Sequence, residues 1–321
     1  VIARMKPSLL HRSLKEIHKH KLIYHEQKKY DGYRLTFAGY DFLSLKALVN
    51  KGIVASVGTQ IGIGKESDIF NAMSFDEEPI VIKLHRLGRV SFRTVKNNRD
   101  YLQHRKHASW LYLSRLSALK EYAFMKALYD EGFPCPRPIQ VNRHIVVMEL
   151  INAKPLHRVK KLKDPAAVYG QCMELIVRLA AHGLIHCDFN EFNLLIDADE
   201  NVIVIDFPQV VSIDHENAKQ YFDRDVNCIR TFFSKKHRFE GSEWPEFDDD
   251  VLRAGVRLDD KAQASGYDKK AAKTLEAILD KQRNQEELDE ELSNDNDDDD
   301  ESASISDHEG LSDDDDDVED K

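Results

Sequence analysis

The first 52 residues alternate between helical and strand-like spacing of their apolar side chains. Leu10, Leu14, Ile17 and Leu22 recur at helical spacing within residues 9–23, which predicts an amphipathic helix. Two short runs, LIYHEQ and YRLTF, predict a pair of strands, and Asp31-Gly32 between them favours a reverse turn. A second helical pattern ends at Gly52. This order of helix, two-stranded wing and helix is typical of a winged-helix domain over residues 1–52.

The polar positions of this domain are basic on the first helix and at the tip of the wing. Clustered basic residues are the electrostatic footprint of a nucleic-acid binder, so contact with nucleic acid is one interpretation. Two others stay open, namely a small packing module without a ligand and a winged domain that binds protein.

Strand-like alternation takes over after the winged-helix domain. Three runs predict strands, with turns at Gly58 and over residues 76–79. The highly charged stretch 86–110 has weak apolar periodicity, which predicts a flexible, partly helical loop. A long amphipathic helix and two more strands complete a first lobe over residues 53–151.

Helical patterns dominate residues 152–283, on either side of a short hairpin. The hairpin LLIDADENVIVIDF reverses its direction over residues 198–201. Residues 217–237 and 274–292 predict two further helices beyond it. Strands followed by helices in this order predict an α+β chain with two lobes.

Charge divides the chain more sharply than its net value of −11 indicates. Residues 284–321 contain 20 acidic side chains, one lysine and no aromatic residue, which predicts a disordered acidic tail. The remaining residues 1–283 carry a net charge of +8. That charge suits a nucleic-acid partner, but an ordinary solvated surface would explain it equally well.

Composition also excludes some classes of protein. No apolar run approaches the roughly 20 residues of a membrane span, and the first residues do not resemble a signal peptide. The four cysteines are scattered without zinc-site spacing, which favours a reduced, intracellular location. The chain begins at Val1 without a methionine, which indicates an N-terminal truncation.

Residues 61–68, IGIGKESD, lie between two predicted strands. Two glycines in such a loop let the backbone approach phosphates closely, so that N–H groups face the phosphate oxygens. A tight hairpin without a ligand is the alternative, because the loop has neither a Walker lysine-serine end nor a Rossmann turn.

Lys83 lies in the otherwise apolar strand EPIVIKLH. Since burying an ammonium group alone is costly, the lysine needs a partner, and Glu121 on the following helix is a candidate. A lysine held by a helix glutamate and reaching phosphates is the arrangement of kinases. A strand-end lysine that reaches solvent is the alternative.

The segment HCDFNEFN places Asp188 and Asn193 five residues apart on one loop. The following hairpin returns a second carboxylate, Asp206, to the same end. Because Mg²⁺ binds oxygen ligands through one or two carboxylates together with phosphates, Asn193 and Asp206 form a suitable pair. Loop-capping roles would explain each residue separately, but not the whole ordered set.

This ordered set resembles the protein-kinase signature, and the sequences of its motifs resemble those of the RIO family of atypical kinases. The segments IGIGKESDI, IVIKLHRLGR, HCDFNEFN, IDFPQ and YFDRDV are similar to those of the second RIO subfamily. A winged-helix domain ahead of the kinase lobes is typical of that subfamily.

The resemblance implies ATP and Mg²⁺ as cofactors and gives a role to each matching position. Asp188 would be the catalytic aspartate, Asp206 would share catalysis and metal binding, and Asn193 would be the other metal ligand. The implied nucleotide-binding residues are Gly62, Gly64, Lys65, Glu66, Ser67, Lys83, Glu121, Met148, Glu149 and Ile151, of which the last three belong to the hinge that reads adenine.

Three departures from ordinary kinases bear on the reaction. Cys187 replaces the arginine that would clamp a phosphorylated activation loop. Pro208 replaces the glycine of DFG and restricts its flip. Only 18 residues separate Asp206 from Asp225, which leaves no room for an activation loop and a peptide-docking segment.

The departures favour ATP hydrolysis, with Asp188 orienting a water or Asp206 accepting the phosphoryl group. The resemblance implies maturation of the small (40S) ribosomal subunit, in which ATP turnover drives release or remodelling of the pre-ribosomal particle. The expected partners are rRNA and ribosomal or assembly proteins, contacted through the winged helix and the basic loop, in the cytoplasm or in passage through the nucleus. A serine/threonine kinase with a protein substrate and a nucleotide-gated rRNA-binding scaffold stay as alternatives.

Overall fold

A computed structural model describes residues 5–27, 31–87, 110–251, 255–264 and Leu275. The N-terminal domain consists of α1 (Pro7–Lys19), β1 (Ile23–Gln27), β2 (Asp31–Leu35) and α2 (Phe37–Asn50). Thr36 caps α2 by accepting a hydrogen bond from the Gly39 N–H at 3.1 Å. Asp31 and Gly32 lie within β2, where they pair with Gln27 and Glu26, so the predicted turn at Asp31-Gly32 is wrong.

A five-stranded antiparallel sheet forms the first lobe, with strand order β3-β4-β5-β7-β6. Its strands are β3 (Ser56–Ile63), β4 (Ser67–Met73), β5 (Pro79–His85), β6 (Pro138–Asn142) and β7 (Ile145–Glu149). The predicted turn at Gly58 is wrong, because Gly58 lies inside β3 where the register with β4 shifts. A side chain there would meet the Asn71 carbonyl oxygen at 3.3 Å, so the close approach of β4 explains the glycine.

Strand β5 shows how the sheet divides its two faces. Ile80, Ile82 and Leu84 alternate toward a buried cluster that includes Leu48 of α2. The intervening Lys83 faces the other side, where Glu121 of α3 (Trp110–Asp130) meets it. The winged-helix domain therefore covers one face of the sheet, and α3 covers the face with the candidate site.

The second lobe is mainly helical around short strand pairs, as the sequence predicts. It contains β8 (Lys154–Pro155), a 3₁₀ turn (Leu156–Arg158), α4 (Pro165–Ala181), β9 (Leu184–Ile185), β10 (Leu194–Ile196), β11 (Val202–Val204), β12 (Val211–Ser212), α5 (Ala218–Phe232), a π-helical turn (Phe233–His237), α6 (Phe247–Asp250) and α7 (Leu258–Ala264). Strands β10 and β11 form the predicted hairpin, with Leu194 opposite Val204. The structure thus confirms the α+β class, with a winged domain ahead of two lobes.

Several predictions fall on parts of the chain outside the described residues. These are most of the charged loop, the helix predicted over 274–292 and the acidic tail over 284–321. At its ends the predicted loop 86–110 is too wide, because Leu87 is fully buried and Trp110 begins α3. Within the described part of the chain, no helix is long and apolar enough to cross a bilayer.

Candidate active site

The β3–β4 hairpin carries the predicted phosphate loop. The Gly64 N–H donates to the Ser67 carbonyl oxygen at 2.8 Å, so the chain reverses tightly over Lys65 and Glu66. Lys65 is exposed, whereas Ser67 is buried. A side chain on Gly64 would approach the Ser67 hydroxyl to 3.3 Å, so glycine keeps this reversal narrow.

Lys83 is the centre of a buried ionic chain. Its Nζ donates to Glu121 Oε1 and to Asp206 Oδ1, at 2.7 Å each. The Lys83 side chain is 6% exposed and that of Asp206 is 35% exposed. The alternative of a solvent-facing lysine is therefore wrong, since the ammonium bridges helix α3 to the strand end that carries Asp206.

Glu121 stays ionised although it is buried. Burial alone would raise its pKa, but Lys83 and His85 favour the carboxylate and lower the pKa to about 2. His85 Nε2 lies 2.7 Å from Glu121 Oε2, and the other ring nitrogen of His85 lies 2.9 Å from the Ser117 hydroxyl. His85 is not among the predicted site residues, although its position two residues after Lys83 places it on the same strand face.

The predicted hinge begins with the last two residues of β7 and continues beyond the strand. Met148 is buried at the end of the strand, and the Glu149 N–H donates to the Arg137 carbonyl at 3.0 Å. The Ile151 carbonyl accepts from the Ala153 N–H at 2.9 Å. These bonds hold the connection between the lobes, where adenine is expected to bind.

Asp225 of α5 binds the backbone of the loop HCDFNEFN, which carries Asp188 and is called the catalytic loop. Its carboxylate accepts from the Cys187 N–H at 2.9 Å and from the Phe189 N–H at 3.0 Å. Cys187 has a positive φ of 66°, an uncommon backbone conformation for a non-glycine residue. Both bonds orient Asp188 between them, a role for Asp225 that the sequence analysis did not assign.

Asp188 is bonded to both amides of its own loop. Asn193 Nδ2 donates to Asp188 Oδ2 at 2.7 Å, and Asn190 Nδ2 donates to Asp188 Oδ1 at 2.7 Å. Burial and the nearby Asp206 charge raise the pKa of Asp188 to about 7, against the opposing bond from Asn193. A carboxyl group with a pKa near neutrality is suited to take up a proton during a reaction.

His186 lies between the rings of Phe189 and Phe207, each 5.6 Å away. Burial lowers the pKa of His186 to about 4, so the ring is neutral at pH 7. The ring therefore supports the catalytic loop from an apolar layer without adding a charge beside Asp188.

The connection after Asp206 is short and fixed. Asp206 has a φ of 72° and Phe207 is fully buried. Strand β12 pairs with β9 a few residues later, and α5 already begins at Ala218. Eleven residues thus join Asp206 to α5 and leave no separate segment on which a peptide acceptor could dock.

The residues present fit a magnesium ion together with phosphates. Both side-chain bonds of Asn193 are donated through Nδ2, to Asp188, which directs its carbonyl oxygen elsewhere. Asp206 uses Oδ1 for Lys83. Among the described residues, no three His, Cys, Asp or Glu converge as a self-sufficient metal site. Two protein oxygens completed by phosphates are how Mg²⁺ is usually bound.

The chain matches two family models. The RIO domain matches residues 68–243, and the Rio2 N-terminal domain matches residues 1–51. The RIO domain range contains the ionic chain and the loop that carries Asp188, and the other range contains the winged helix.

Relatives and solved structures agree with the family models. The chain is 53% identical to serine/threonine-protein kinase rio2 of Dictyostelium discoideum, over 86% of this chain and 53% of the relative. It is 50% identical to the Schizosaccharomyces pombe rio2, over 86% of this chain and 80% of the relative. The crystal structure of a Rio2 kinase–ADP/Mg²⁺–phosphoaspartate complex from Chaetomium thermophilum matches with a TM-score of 0.78 and 48% identity, over 88% of this chain and 87% of that one.

The length of the match varies among relatives. The chain spans about half of the rio2 proteins of Dictyostelium discoideum and Caenorhabditis elegans. The RIO domain model nevertheless covers Lys83, Glu121, Asp188, Asn193 and Asp206. The chain therefore belongs to the RIO family of atypical protein kinases, in the Rio2 subfamily, whose cofactors are ATP and Mg²⁺.

Proposed function

We propose that this chain binds ATP with Mg²⁺ and hydrolyses it by way of a phosphoryl group carried on Asp206. The observation that carries the proposal is the short connection from Asp206 to α5, which brings a partly exposed carboxylate to the site but no platform for a peptide. The related Chaetomium thermophilum structure is described as a complex with ADP, Mg²⁺ and phosphoaspartate, which supports an aspartate as acceptor.

The reaction divides into two displacements. An oxygen of Asp206 forms a bond to the γ-phosphorus, the bond between that phosphorus and the β,γ-bridging oxygen breaks, and ADP leaves. A water oxygen then bonds to the same phosphorus as the Asp206 oxygen departs, and Asp188 takes up the water proton. Inorganic phosphate and the Asp206 carboxylate result, and Asp188 then releases its proton to solvent.

The chain's own residues position this chemistry. Lys83, which already contacts Asp206, would lie between that carboxylate and the phosphates, and Glu121 keeps the ammonium in place. Asn193 and Asp206 would hold Mg²⁺, which supplies neutralisation of phosphate charge. The raised pKa of Asp188 matches its role as proton acceptor.

A second candidate is transfer to a serine or threonine hydroxyl of a protein. The catalytic aspartate favours it, since Asp188 could take the hydroxyl proton as readily as a water proton. The relatives are named serine/threonine-protein kinases. A nucleotide-gated scaffold without turnover is the weaker alternative, because the ionic chain and both loop carboxylates are all in place.

We further propose that ATP turnover serves maturation of the small (40S) ribosomal subunit, by driving release or remodelling of the pre-ribosomal particle. The proposed location is the cytoplasm, with passage through the nucleus. A cavity of about 460 Å³ beside α1 and the wing supports contact with rRNA. Its lining is basic and aromatic, and consists of His11, Arg12, Lys15, His18, His25 and Tyr33. Such a surface suits phosphates and stacked bases.

ATP turnover measured with and without a peptide acceptor tests the proposed activity. Phosphate release without an acceptor, lost in Asp188→Ala and in Asp206→Ala, is the expected result. Efficient peptide phosphorylation that survives Asp206→Asn would instead favour the second candidate, and absence of turnover in the unchanged chain would favour the scaffold.

Binding to rRNA fragments across salt concentrations tests the partner. We expect affinity to fall steeply as salt increases, and Lys15→Ala to reduce the slope, because phosphate contacts release counterions. A flat salt response would remove rRNA from the proposal.

A further inference from the structure

A cluster of charged groups joins the winged-helix domain to the phosphate hairpin. Asp41 of α2 contributes from the winged-helix domain, and Arg86, directly after β5, contributes from the kinase domain. Asp68, the second residue of β4, completes the cluster beside the phosphate hairpin. All three side chains are at least 79% buried, with Asp41 the most exposed at 21%.

Arg86 uses its planar fork on both domains at once. Its two terminal nitrogens donate to the two oxygens of Asp41, at 2.6 and 2.8 Å, and its Nε donates to Asp68 Oδ2 at 3.0 Å. A bidentate arginine–carboxylate pair fixes orientation as well as distance. The direction of Arg86 is therefore set by the winged-helix domain.

The same arginine holds the phosphate hairpin at two points. Its backbone N–H donates to the Glu66 carbonyl at 2.5 Å, and its side chain holds Asp68. Ser67, the buried serine of the phosphate hairpin, lies between these two anchored residues. A displacement of Arg86 would therefore be transmitted to the backbone on both sides of Ser67.

His144, in the β6–β7 turn, closes the cluster from its other side. Its Nε2 lies 2.7 Å from Asp41 Oδ1, and its ring stacks on Tyr40 with centroids 4.6 Å apart. The His144 carbonyl accepts from the His85 N–H at 2.9 Å, and His85 in turn contacts Glu121. Asp41 is thereby linked to the Lys83 side of the site as well as to the phosphate hairpin.

We propose that Asp41 and Arg86 are positioning residues for the ATP phosphates, so that the winged-helix domain is a structural part of the nucleotide site. The inference rests on the proposed function for ATP as the ligand. Neither side chain touches the reacting atoms in this account. Their role is to hold the hairpin backbone in the arrangement that accepts phosphates. Adenosine has no phosphates, so its binding does not require this arrangement.

Asp41→Asn is the sharpest perturbation of the cluster. The amide keeps the shape of the side chain, but its NH₂ faces a donor of Arg86 where a carboxylate oxygen now accepts. Arg86→Lys keeps the charge and loses the fork, so an intermediate effect is expected. Asp76→Asn, in the exposed β4–β5 turn of the same domain as the hairpin, is the matched control.

The test is calorimetric binding of Mg·ATP and of adenosine to the same chain and its variants. We expect ATP affinity to fall about tenfold in Asp41→Asn, as for loss of a hydrogen bond between charged groups, and less in Arg86→Lys. Adenosine affinity should stay within about twofold, and the control should match the unchanged chain, since only the phosphate end is disturbed.

The outcomes separate this inference from the proposed function. Equal ATP affinity in Asp41→Asn and the unchanged chain would overturn the positioning role, and so would an equal loss for ATP and adenosine, which indicates general disruption. Absence of ATP binding by the unchanged chain would overturn the proposed function itself. A loss confined to ATP, with the order Asp41→Asn greater than Arg86→Lys, would support the inference.

Discussion

Replacing Glu121 by glutamine tests the buried ionic chain most directly in terms of stability. The substitution leaves Lys83, 6% exposed, without a charged partner on the helix, and His85 without a carboxylate. Removing one member of a buried ion pair typically costs about 3–5 kcal/mol, because the other charge stays desolvated. Since Asp206 still contacts Lys83 at 2.7 Å, we expect the low end, about 3 kcal/mol of the free energy of unfolding.

Urea unfolding of four chains measures this coupling: the unchanged chain, Glu121→Gln, Lys83→Met and the double variant. The double variant should be less destabilised than the two single changes predict together, because neither charge of the buried Lys83–Glu121 pair is then left without the other. Lys126→Ala, which breaks an exposed pair with Asp130 on the same helix, is the control and should have little effect. Additive effects of the two single changes would refute the coupled pair.

Three further predictions follow from the site. The pKa of Glu121 is about 2 in the folded chain, against 4.5 for a free glutamate side chain. Its contribution to the free energy of unfolding should be complete above pH 4.5 and lost as the pH falls toward 2. Acid titration of Glu121→Gln should lack this contribution. Asp225→Asn replaces one of the two acceptors for the Cys187 and Phe189 N–H groups with a donor. Steady-state turnover should therefore fall about tenfold, because Asp188 is misplaced, while calorimetry should show that ATP affinity is retained. Removing Mg²⁺ with a chelator should stop turnover, and Asn193→Ala should raise the Mg²⁺ concentration that restores it.

Each of these has its contradicting result. The acid component would be wrongly assigned if Glu121→Gln lost stability along the same pH curve as the unchanged chain. Normal turnover in Asp225→Asn would show that the two bonds from α5 do not position Asp188. Undiminished Mg²⁺ response in Asn193→Ala would remove that residue from the metal site, with Asn201→Ala on the exposed hairpin turn as the control.

The sequence was sufficient to predict the site's main members because their chemistry is costly elsewhere. A lysine inside an apolar strand demands a partner, and Glu121 meets it in the structure as that argument requires. Turn chemistry predicts the β10–β11 hairpin, which returns Asp206 close enough to Asp188 to raise the pKa of that group. These inferences depend on local pattern and on one strong electrostatic constraint.

Other features depend on contacts between distant segments, which no local pattern specifies. Asp41 and Arg86 are 45 residues apart, and each is ordinary in its own segment. Asp225 reaches the catalytic loop from α5 across 38 residues. The turn predicted at Gly58 is wrong for a related reason, because the glycine permits the close approach of a neighbouring strand. Tertiary packing determines the roles of the Asp41–Arg86 pair, of Asp225 and of Gly58.

The covalent state of Asp206 during turnover tests the central claim. The chain is incubated with Mg²⁺ and ATP labelled in its γ-phosphate, quenched in acid, and treated with hydroxylamine, which cleaves acyl phosphates but not phosphate esters of serine or threonine. We predict label on the chain that hydroxylamine removes and that is absent from Asp206→Asn. Label that resists hydroxylamine and persists in Asp206→Asn would contradict the account.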